Sequence, residues 1–333
     1  LGRPLIQGLH WLNRNTRRGS RKNIAAHYDL GNALFEQFLD PTMMYSAAQF
    51  DGPDDSLEQA QLNKLERICR KLALRPTDHL LEIGSGWGSM AIYAASHYGC
   101  KVTTTTLSRE QYDYCARRIA EQGLGERITL LLEDYRDLAG QYDKLVSIEM
   151  IEAVGHRFLP TYFQQCARLL KDDGLMLLHS IGTNVSTNHT DPWIERYIFP
   201  NSMLPSAAQI TAASEGLFVL EDWHNFGTDY DRTLQAWRDN VEAGWDRLPA
   251  RYDDGGIFRY QGKTDWERLG PVPDTTQGYA MMIYEGRLHV GTWPTGSVFR
   301  FHGPQNWTHA GRLGKEKEVM AVSVYNGKFY AGT

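Results

Sequence analysis

Three glycines at alternate positions form the most chemically informative motif of this 333-residue chain. Residues 84–88 have the sequence Gly-Ser-Gly-Trp-Gly, between the apolar run 80–83 and the helix-like run 90–95. This order predicts a strand, a glycine turn that lets backbone approach a ligand, and a helix N-terminus with free N–H groups. The G-x-G-x-G spacing differs from the G-x-G-x-x-G of dinucleotide sites. With Glu82, an acid that suits a charged amine, the motif favours S-adenosylmethionine over NAD; a glycine turn without a ligand is the alternative.

Six further segments lie along the chain in a defined order. They are residues 23–32 (NIAAHYDLGN), 44–47 (MYSA), 106–111 (TLSREQ), 134–138 (DYRDL), 152–155 (EAVG) and 221–227 (EDWHNFG). In order and spacing they resemble the cyclopropane-fatty-acyl-phospholipid synthase family, relatives of the mycolic acid cyclopropane synthases, over roughly residues 15–252. The resemblance implies a class I S-adenosylmethionine-dependent methyltransferase fold. It also implies a reaction in which the cis double bond of an unsaturated phospholipid acyl chain attacks the sulfonium methyl, a carbocation forms, and a proton leaves as a cyclopropane ring closes.

The resemblance further implies that a bound bicarbonate takes this proton. The groups that would hold the anion are Glu152, His179, Tyr230, the backbone at Ile181 and the position of Ser85. Histidine and tyrosine can donate hydrogen bonds to an anion, and glutamate can accept the proton that bicarbonate carries. Ser85 departs from the family, which usually has cysteine there; serine also donates a hydrogen bond, so weaker anion binding is expected. Taken singly, Glu152 could be a solvated strand end and His179 a core residue.

For the cofactor, the resemblance points to residues on several separate segments. They are Tyr28, Tyr45, Ser46, Gly84, Gly86, Thr106, Leu107, Gln111, Asp134 and Tyr135. Thr106 stands where most of these methyltransferases have an acid for the ribose hydroxyls, and the side-chain oxygen of Gln111 can replace that acid. Asp134 and Tyr135 would contact adenine by hydrogen bonding and by stacking; an exposed loop is the alternative for this pair.

An aromatic series farther along the chain could line an acyl channel, although core packing is the default for such residues. Its members are Trp193, Tyr197, Phe199, Trp223 and Phe226. No metal site is predicted, because the histidines are accompanied by neither an H-E-x-x-H motif nor a carboxylate cluster.

The elements that must position these residues alternate between strand and helix along residues 79–224. Strand-like runs are 79–83, 101–106, 128–132, 144–149, 174–181 and 217–223, and helical runs are 88–97, 109–122, 157–170 and 206–215. This alternation predicts an α/β fold, with a parallel sheet covered by helices on both faces. Ligands of such sheets bind at the carboxyl ends of the strands, where the loops after positions 83, 106, 133, 149 and 181 lie.

The chain is predicted to contain three parts. Residues 1–78 form an N-terminal helical segment and lid, in which a helix over 56–74 begins with a capping box of Ser56 and Gln59. Residues 79–254 form the methyltransferase domain. Residues 255–333 contain two repeats of 41 residues, with eleven identities at one offset, among them Tyr284 and Tyr325. Short β-rich units of this length resemble β-propeller blades.

The methyltransferase sheet is expected to lack its last strand. The family continues past position 252 with a helix and a strand that inserts antiparallel between the fifth and sixth strands, and nothing after Asp254 resembles them. Each buried backbone group left unpaired would cost on the order of 1–3 kcal/mol. This sequence is therefore expected to be a joined or truncated product, in which most of a synthase is fused to an open propeller-like fragment.

The overall composition does not identify a particular class of binding partner. Hydrophobic content is 42%, charged content 23% and net charge −5, so nothing global indicates nucleic acid. Four cysteines without a CxxC pair indicate reduced thiols in a cytosolic protein, and no run has transmembrane length or a secretory signal. The basic residues 1–30 suit an anionic membrane surface, or equally a solvated helix and loop. The resemblance implies a cytoplasmic homodimer, peripheral to the inner face of the membrane, acting on unsaturated phospholipid.

Three functions remain in competition at this point. The first is a lipid-modifying methyltransferase that makes cyclopropane rings. The second is a relative that methylates a lipid or a small amine without closing a ring, and product mass and fragmentation would separate these two. The third is an inactive methyltransferase body whose propeller-like tail binds a partner; failure to bind S-adenosylmethionine would favour it.

Overall fold

The structure is a computed structural model. It describes residues 31–188, 190–191, 194, 198–199, 202–244, 256–262, 265–275 and 277–333. Tyr28, Trp193 and Tyr197, together with the basic first 30 residues, lie outside the described residues. The chain divides into two compact units between Trp245 and Asp246.

The first unit contains seven α-helices among its described residues. They are α1 (Asn32–Phe38), α2 (Leu57–Lys71), α3 (Ser89–Tyr93), α4 (Arg109–Glu121), α5 (Leu159–Leu169), α6 (Ala207–Ser214) and α7 (Asp229–Gly244). A π-helical turn, Ala94–Tyr98, continues α3, and two 3₁₀ helices, Ile151–Ala153 and His156–Phe158, precede α5. Ser56 caps α2 by accepting a hydrogen bond from the backbone of Gln59, whose side chain donates instead to Asn63. Of the two hydrogen bonds of the predicted capping box, only the one accepted by the Ser56 side chain is therefore formed.

Five parallel strands form the sheet of this unit. They are β1 (His79–Ile83), β2 (Lys101–Thr105), β3 (Ile128–Leu131), β4 (Tyr142–Ile148) and β5 (Leu170–His179). Their order is β3-β2-β1-β4-β5, and all four pairings are parallel. This confirms the predicted α/β class and five of the six predicted strands. The chain order reverses direction between β1 and β4, and such a switch point is where ligands of open α/β sheets bind.

The two faces of the sheet are buried by different helices because strand residues alternate in direction. Leu80 packs with Leu65 of α2 and other residues on one face, whereas Leu81 packs with Phe163 of α5 on the other. Both leucines are fully buried. Burial of each such side chain contributes about 1.5–3 kcal/mol. Since α2 belongs to this core, residues 31–78 are packed into the same unit as the sheet.

The sixth predicted strand, over residues 217–223, is wrong. No strand is present there, and Val219 and Leu220 are 88% and 61% exposed. A strand forms only against a neighbour that completes its hydrogen-bond ladder. Among the described residues β5 pairs with β4 alone, and no further strand continues the sheet beyond β5. Residues 217–223 therefore have no ladder to join.

The described residues of the second unit form β-strands and turns, as predicted. Its strands are β6 (Gly256–Gly262), β7 (Asp265–Pro271), β8 (Gln277–Tyr284), β9 (Arg287–Trp293), β10 (Ser297–Gly303), β11 (Asn306–Arg312), β12 (Ala321–Tyr325) and β13 (Lys328–Gly332). Strands β8 to β11 form one antiparallel sheet, and β6–β7 and β12–β13 form two hairpins. The four-stranded sheet joins the second half of one sequence repeat to the first half of the next. Assignment to a propeller stays a prediction.

Within the described ranges, no helix combines the length and the apolar character needed to cross a membrane. The four cysteines are free and buried.

Candidate functional site

The glycine turn follows β1, as the sequence predicts. The backbone N–H groups of Gly84 and Ser85 both donate to the carbonyl oxygen of Thr105, at 3.1 and 2.9 Å, so the turn is closed onto the end of β2. Gly84, Gly86 and Gly88 have φ angles of 99°, 49° and 94°. These values lie in the left-handed region that glycine adopts without a steric penalty.

Two of these glycines meet different surroundings. A Cβ at Gly88 would lie 2.6 Å from the sulfur of Cys115, so helix α4 requires glycine there. A Cβ at Gly86 would meet nothing within 4 Å. The open side of the turn at Gly86 is therefore where a ligand can approach the backbone, which fits the predicted cofactor.

Glu82 lies on β1, just before the turn, and is almost completely buried. Its Oε2 accepts a hydrogen bond of 2.6 Å from the hydroxyl of Thr104 on β2. Burial raises the pKa of this carboxyl to about 8, against the opposing effect of the Thr104 hydrogen bond. A cationic group beside it would favour the ionised form, so this position suits an ammonium ligand.

The end of β2 carries the residues predicted to bind ribose. The buried hydroxyl of Thr106 donates to the side-chain oxygen of Gln111, at 2.9 Å, and half-buried Leu107 follows it. The side chain of Ser108 caps α4 by accepting from the backbone of Gln111. An amide oxygen has two lone pairs, so Gln111 keeps capacity for a second donor such as a ribose hydroxyl.

The predicted adenine pair follows β3. Asp134 is buried and binds the Arg136 guanidinium through both oxygens, at 2.8 and 2.6 Å. The Tyr135 ring lies edge-on to Tyr162, with centroids 5.5 Å apart. The exposed-loop alternative does not apply to Asp134, which is 2% exposed.

The segment between α1 and α2 brings the next predicted residues to the sheet. The ring of Tyr45 lies 5.3 Å from those of Phe35 and Trp237. The hydroxyl of Ser46 accepts a hydrogen bond of 2.6 Å from the Lys64 ammonium, which also donates to the Ala47 carbonyl at 2.8 Å. A buried lysine of α2 thus fixes the backbone beside two predicted cofactor residues.

Glu152 and Ile181 meet directly. The backbone N–H of Ile181 donates to Oε1 of Glu152 at 2.6 Å, across a separation of 29 residues. Glu152 is 8% exposed. Burial raises the pKa of its carboxyl to about 8, and the negative charge of Glu149 raises it further. Glu152 therefore favours its protonated form near neutral pH.

His179 and Tyr230 meet through a residue that the sequence analysis did not single out, Glu149. The Tyr230 hydroxyl donates to Oε2 of Glu149 at 3.1 Å, and Nε2 of His179 lies 3.4 Å from Oε1. Burial lowers the pKa of His179 to about 3, and the positive charge of Lys64 adds to this effect. The imidazole is consequently neutral, and its Nδ1 has no hydrogen-bond partner among the described residues.

Glu149 could have been noticed as one of two glutamates three residues apart, directly after an apolar strand. Its role could not, because its partners come from distant segments. The backbone N–H of Ala47, 102 residues away, donates to Oε1 of Glu149 at 2.9 Å. Burial raises the pKa of the Glu149 carboxyl, whereas this hydrogen bond, the Lys64 charge and Tyr230 lower it.

Helix α7 is the second feature that sequence reasoning missed. It presents Tyr230 and Trp237 to the site, with the Trp237 ring 6.3 Å from that of Tyr230 and perpendicular to it. The Thr233 hydroxyl accepts from the backbone of Ala48, and Asp229 accepts from Phe50, both at 3.0 Å. The signal was present, since the buried Thr233 and Trp237 are four residues apart and two acids occupy the first turn.

Some of the remaining predicted residues lie beside the site, and others do not. The hydroxyl of Ser85 donates to the carbonyl of Gly86 at 3.0 Å. Phe226 lies against His179, with ring centroids 5.0 Å apart, and Phe199 lies 6.5 Å from Tyr45. Trp223 is 52% exposed and lies on the segment that forms no strand. Of the proposed acyl-channel residues, Phe226 and Phe199 are thus beside the site.

The described part of the chain contains no group of three or more His, Cys, Asp or Glu side chains that could hold a metal ion. What it contains at the carboxyl ends of β4 and β5 is a buried pair of carboxyl groups, a neutral imidazole and a phenol beside aromatic rings. Such a site can hold a proton acceptor next to a cation while excluding water.

Comparison with known families gives a match over most of the chain. The family described as mycolic acid cyclopropane synthetase matches residues 15–262. The chain is 48% identical over 228 residues to a cyclopropane-fatty-acyl-phospholipid synthase of Escherichia coli (strain K12), covering 68% of this chain and 58% of that protein. It is 39% identical over 267 residues to a tuberculostearic acid methyltransferase of Mycobacterium tuberculosis, covering 73% and 62%. The chain thus spans about three fifths of the length of these relatives.

Solved structures give the same result for the fold. A cyclopropane synthase from Mycobacterium tuberculosis superposes with a TM-score of 0.65 and 29% identity, covering 69% of this chain and 86% of that one. A mycolic acid cyclopropane synthase complexed with SAH and CTAB superposes with a TM-score of 0.64 and 30% identity over the same shares. The five-stranded unit therefore has the S-adenosylmethionine-dependent methyltransferase fold.

Proposed function

The chain belongs to the mycolic acid cyclopropane synthetase family, and from this membership we propose that it acts on the cis double bond of an unsaturated phospholipid acyl chain. It transfers a one-carbon unit from S-adenosylmethionine and closes a cyclopropane ring. The relative with 48% identity is named for this activity. The observation that carries the proposal is the buried cluster of Glu149, Glu152, His179 and Tyr230 at the carboxyl ends of the strands.

S-adenosylmethionine, when bound, supplies a methyl group on a positively charged sulfur. The residues of the glycine turn fit this cofactor, because the turn at Gly86 is open and Glu82 suits its amine. Gln111 and Thr106 bind the ribose, while Asp134 and Tyr135 bind the adenine. A relative of known structure was solved with SAH, which supports this assignment.

The aromatic side chains around the cluster have two tasks. Tyr45, Trp237 and Phe226 exclude water, which would otherwise capture a positively charged lipid intermediate. Their ring faces also attract a cation, typically by about 0.5–2 kcal/mol each. The buried carboxyl groups beside them provide the acceptor for the proton that must leave.

The family resemblance implies a bound bicarbonate as that acceptor, and the residues present do not fit it. Tyr230 already donates to Glu149, and the Ile181 N–H already donates to Glu152. The hydroxyl of Ser85 donates to Gly86. Since these three implied donors are engaged, bicarbonate takes no part in the proposed reaction.

We also propose that the enzyme works at the surface of a membrane, on the cytoplasmic side, and as a homodimer. Its substrate resides in a bilayer, and two acyl-chain-modifying relatives support a lipid substrate. The methyltransferase region extends to about residue 254, and we propose that residues 255–333 form a separate propeller-like module.

Incubation with labelled S-adenosylmethionine and vesicles of unsaturated phospholipid tests the function. Lipid mass spectrometry should detect a gain of one CH₂ per modified chain, and proton NMR should detect ring methylene signals upfield of the alkyl signals. Ring signals support cyclopropanation, whereas an equal mass gain with olefinic signals indicates methylation without ring closure. Absence of any labelled lipid, with cofactor binding intact, would contradict the proposal.

Glu152→Gln provides the matched variant. It keeps the shape and the hydrogen bond from Ile181 while removing the titratable carboxyl. We expect product formation to fall by about 10²–10⁴-fold, the usual contribution of a positioned acid or base, with cofactor affinity within a factor of three of the unsubstituted enzyme. A normal turnover number in this variant would remove Glu152 from the mechanism.

A further inference from the structure

Glu149 provides a buried carboxylate at the centre of the candidate site. The side chain of Glu149 is 8% exposed. Its Oε1 accepts from the Ala47 backbone at 2.9 Å and lies 3.4 Å from Nε2 of His179. Its Oε2 accepts from the Tyr230 hydroxyl at 3.1 Å. Three groups from separate parts of the chain therefore converge on this one carboxylate.

These groups include two that a bound bicarbonate would need. A bicarbonate and a glutamate carboxylate are both planar oxyanions with one negative charge, so each would use the Tyr230 hydroxyl and the His179 ring nitrogen. Both anions cannot occupy one buried site, because like charges separated by a few ångströms repel strongly where water is excluded. Glu149 therefore stands in the place that the external anion would occupy.

The backbone at Glu149 adds an independent observation. Its φ angle is 45°, in the left-handed region that glycine adopts freely and other residues adopt at a cost of about 1–2 kcal/mol. The Glu149 N–H donates to the His179 carbonyl at 2.8 Å, which ties this strained residue to the end of β5. The fold thus keeps a carboxylate at a position where the backbone alone would favour glycine, and such outliers cluster at functional sites.

We propose that Glu149 is the base of the reaction and takes the place of a bound bicarbonate. This inference rests on the proposed function. When the alkene has taken the methyl group from sulfur, the adjacent lipid carbon is positively charged. The Glu149 carboxylate removes a proton from the new methyl group, and the electron pair of that C–H bond forms the C–C bond that closes the ring. Glu149 is then a neutral carboxylic acid, which loses its proton to water after the product leaves.

The charges around Glu149 are arranged for this task. Burial raises the pKa of the Glu149 carboxyl, and the Ala47 N–H, the Lys64 ammonium and the Tyr230 hydroxyl oppose this by favouring its ionised form. Glu152 faces it as the second acid, and mutual repulsion leaves a single shared proton on the pair near neutral pH. Because the two carboxyl groups carry only this one proton between them, Glu149 can accept a second proton from the substrate.

Two variants of Glu149 separate this inference from a structural role. Glu149→Gln keeps the shape but cannot accept a proton, so turnover should fall by about 10²–10⁴-fold. Glu149→Gly relieves the strained backbone and vacates the anion position. This second variant should be inactive in bicarbonate-free buffer and should regain activity when bicarbonate is added. Glu66→Gln is the matched control, because Glu66 also accepts from two tyrosine hydroxyls, Tyr93 and Tyr98, outside the site.

A binding measurement provides a readout that does not depend on turnover. Melting temperature is compared in sodium bicarbonate and in sodium chloride at equal pH and ionic strength. Bicarbonate should raise the melting temperature of Glu149→Gly and leave that of the unsubstituted enzyme unchanged. Calorimetric binding of S-adenosylmethionine to all variants checks that each is folded.

Two results would overturn the inference. One is an unsubstituted enzyme whose activity disappears in bicarbonate-free buffer and returns with added bicarbonate. The other is a Glu149→Gln variant with an unchanged turnover number. If the unsubstituted enzyme modifies no unsaturated lipid at all, the proposed function fails instead, and the bicarbonate-dependent melting shift still decides whether Glu149 occupies the anion site.

Discussion

Glu82 is the residue whose ionisation should link cofactor binding to pH. Its carboxyl is buried beside Thr104, and burial raises its pKa from 4.5 to about 8. Between these two values the folded protein without cofactor holds a proton that the unfolded chain has released. The free energy of unfolding must therefore fall as pH rises from about 4.5 to about 8. A bound ammonium group would reverse the preference by stabilising the ionised carboxylate.

Glu82→Gln should remove this dependence. The amide oxygen can still accept from Thr104, but nothing titrates, so the decline of unfolding free energy between pH 5 and 8 should lessen by on the order of 3 kcal/mol, since one pKa unit is worth about 1.4 kcal/mol. Denaturant unfolding of both proteins over this range measures the difference. Cofactor affinity should rise through pH 8 in the unsubstituted enzyme alone. Parallel stability curves for the two proteins would show that Glu82 is ionised without ligand.

The sequence predicts which single residues lie in the site better than it predicts their contacts. Glu152 could be predicted because it falls within a local motif, and the structure pairs it with Ile181. Glu149 could not, since its hydrogen-bond partners, Ala47 and Tyr230, are 102 and 81 residues away. Such partners become visible only when the strands and helices are assembled.

The glycine turn is an element in which each position has its own constraint. Gly88 is required for helix packing, because a side chain would collide with Cys115 of α4. Gly86 has a positive φ and faces open space, so its lack of a side chain, apart from that φ, matters only if a ligand approaches there. The motif alone does not distinguish these two reasons for glycine, whereas the contacts of the folded turn do.

Alanine should therefore destabilise the fold at both positions but weaken cofactor binding at Gly86. Gly88→Ala should lower the unfolding free energy by about 1–3 kcal/mol, through overpacking against Cys115 in addition to the positive φ. Gly86→Ala should cost about 1–2 kcal/mol, from the φ of 49° alone, but weaken S-adenosylmethionine binding at least tenfold. Denaturant unfolding without ligand and titration calorimetry measure the two effects. A Gly86→Ala variant with full affinity would mean that the cofactor does not touch this side of the turn.

Some elements of the first unit can be predicted from their local sequence pattern, and others cannot. Strands β1 to β5 were predictable because buried parallel strands are short runs of apolar or β-branched residues. Residues 217–223 have a similar pattern but form no strand, since a strand also needs a neighbour. Helix α7 was missed although its acids and buried residues follow a helical pattern, because it lies beyond the alternating region.

Across the whole molecule, sequence repeat and structural sheet are out of phase. Strands β8 and β9 come from the first repeat and β10 and β11 from the second, yet all four form one antiparallel sheet. The offset of 41 residues predicts the number and spacing of strands but not which of them pair. One consequence is that equivalent residues of the two repeats have different surroundings. Gly291 lies against Val319, whereas its counterpart Gly332 would meet nothing if it had a Cβ.

The same substitution at these two equivalent glycines tests whether the second unit unfolds independently. A Cβ at Gly291 would lie 2.6 and 2.8 Å from side-chain atoms of buried Val319, so Gly291→Ala should destabilise the second unit by about 1–3 kcal/mol. For a unit of this size, each kcal/mol of lost stability lowers the melting temperature by about 4–8 °C. Gly332→Ala should change little. Scanning calorimetry of the full chain should show one lowered transition in Gly291→Ala, with the other transition and methyl transfer unchanged. If both transitions fall together, the two units unfold as one body, and the methyltransferase depends on its β-rich tail for stability.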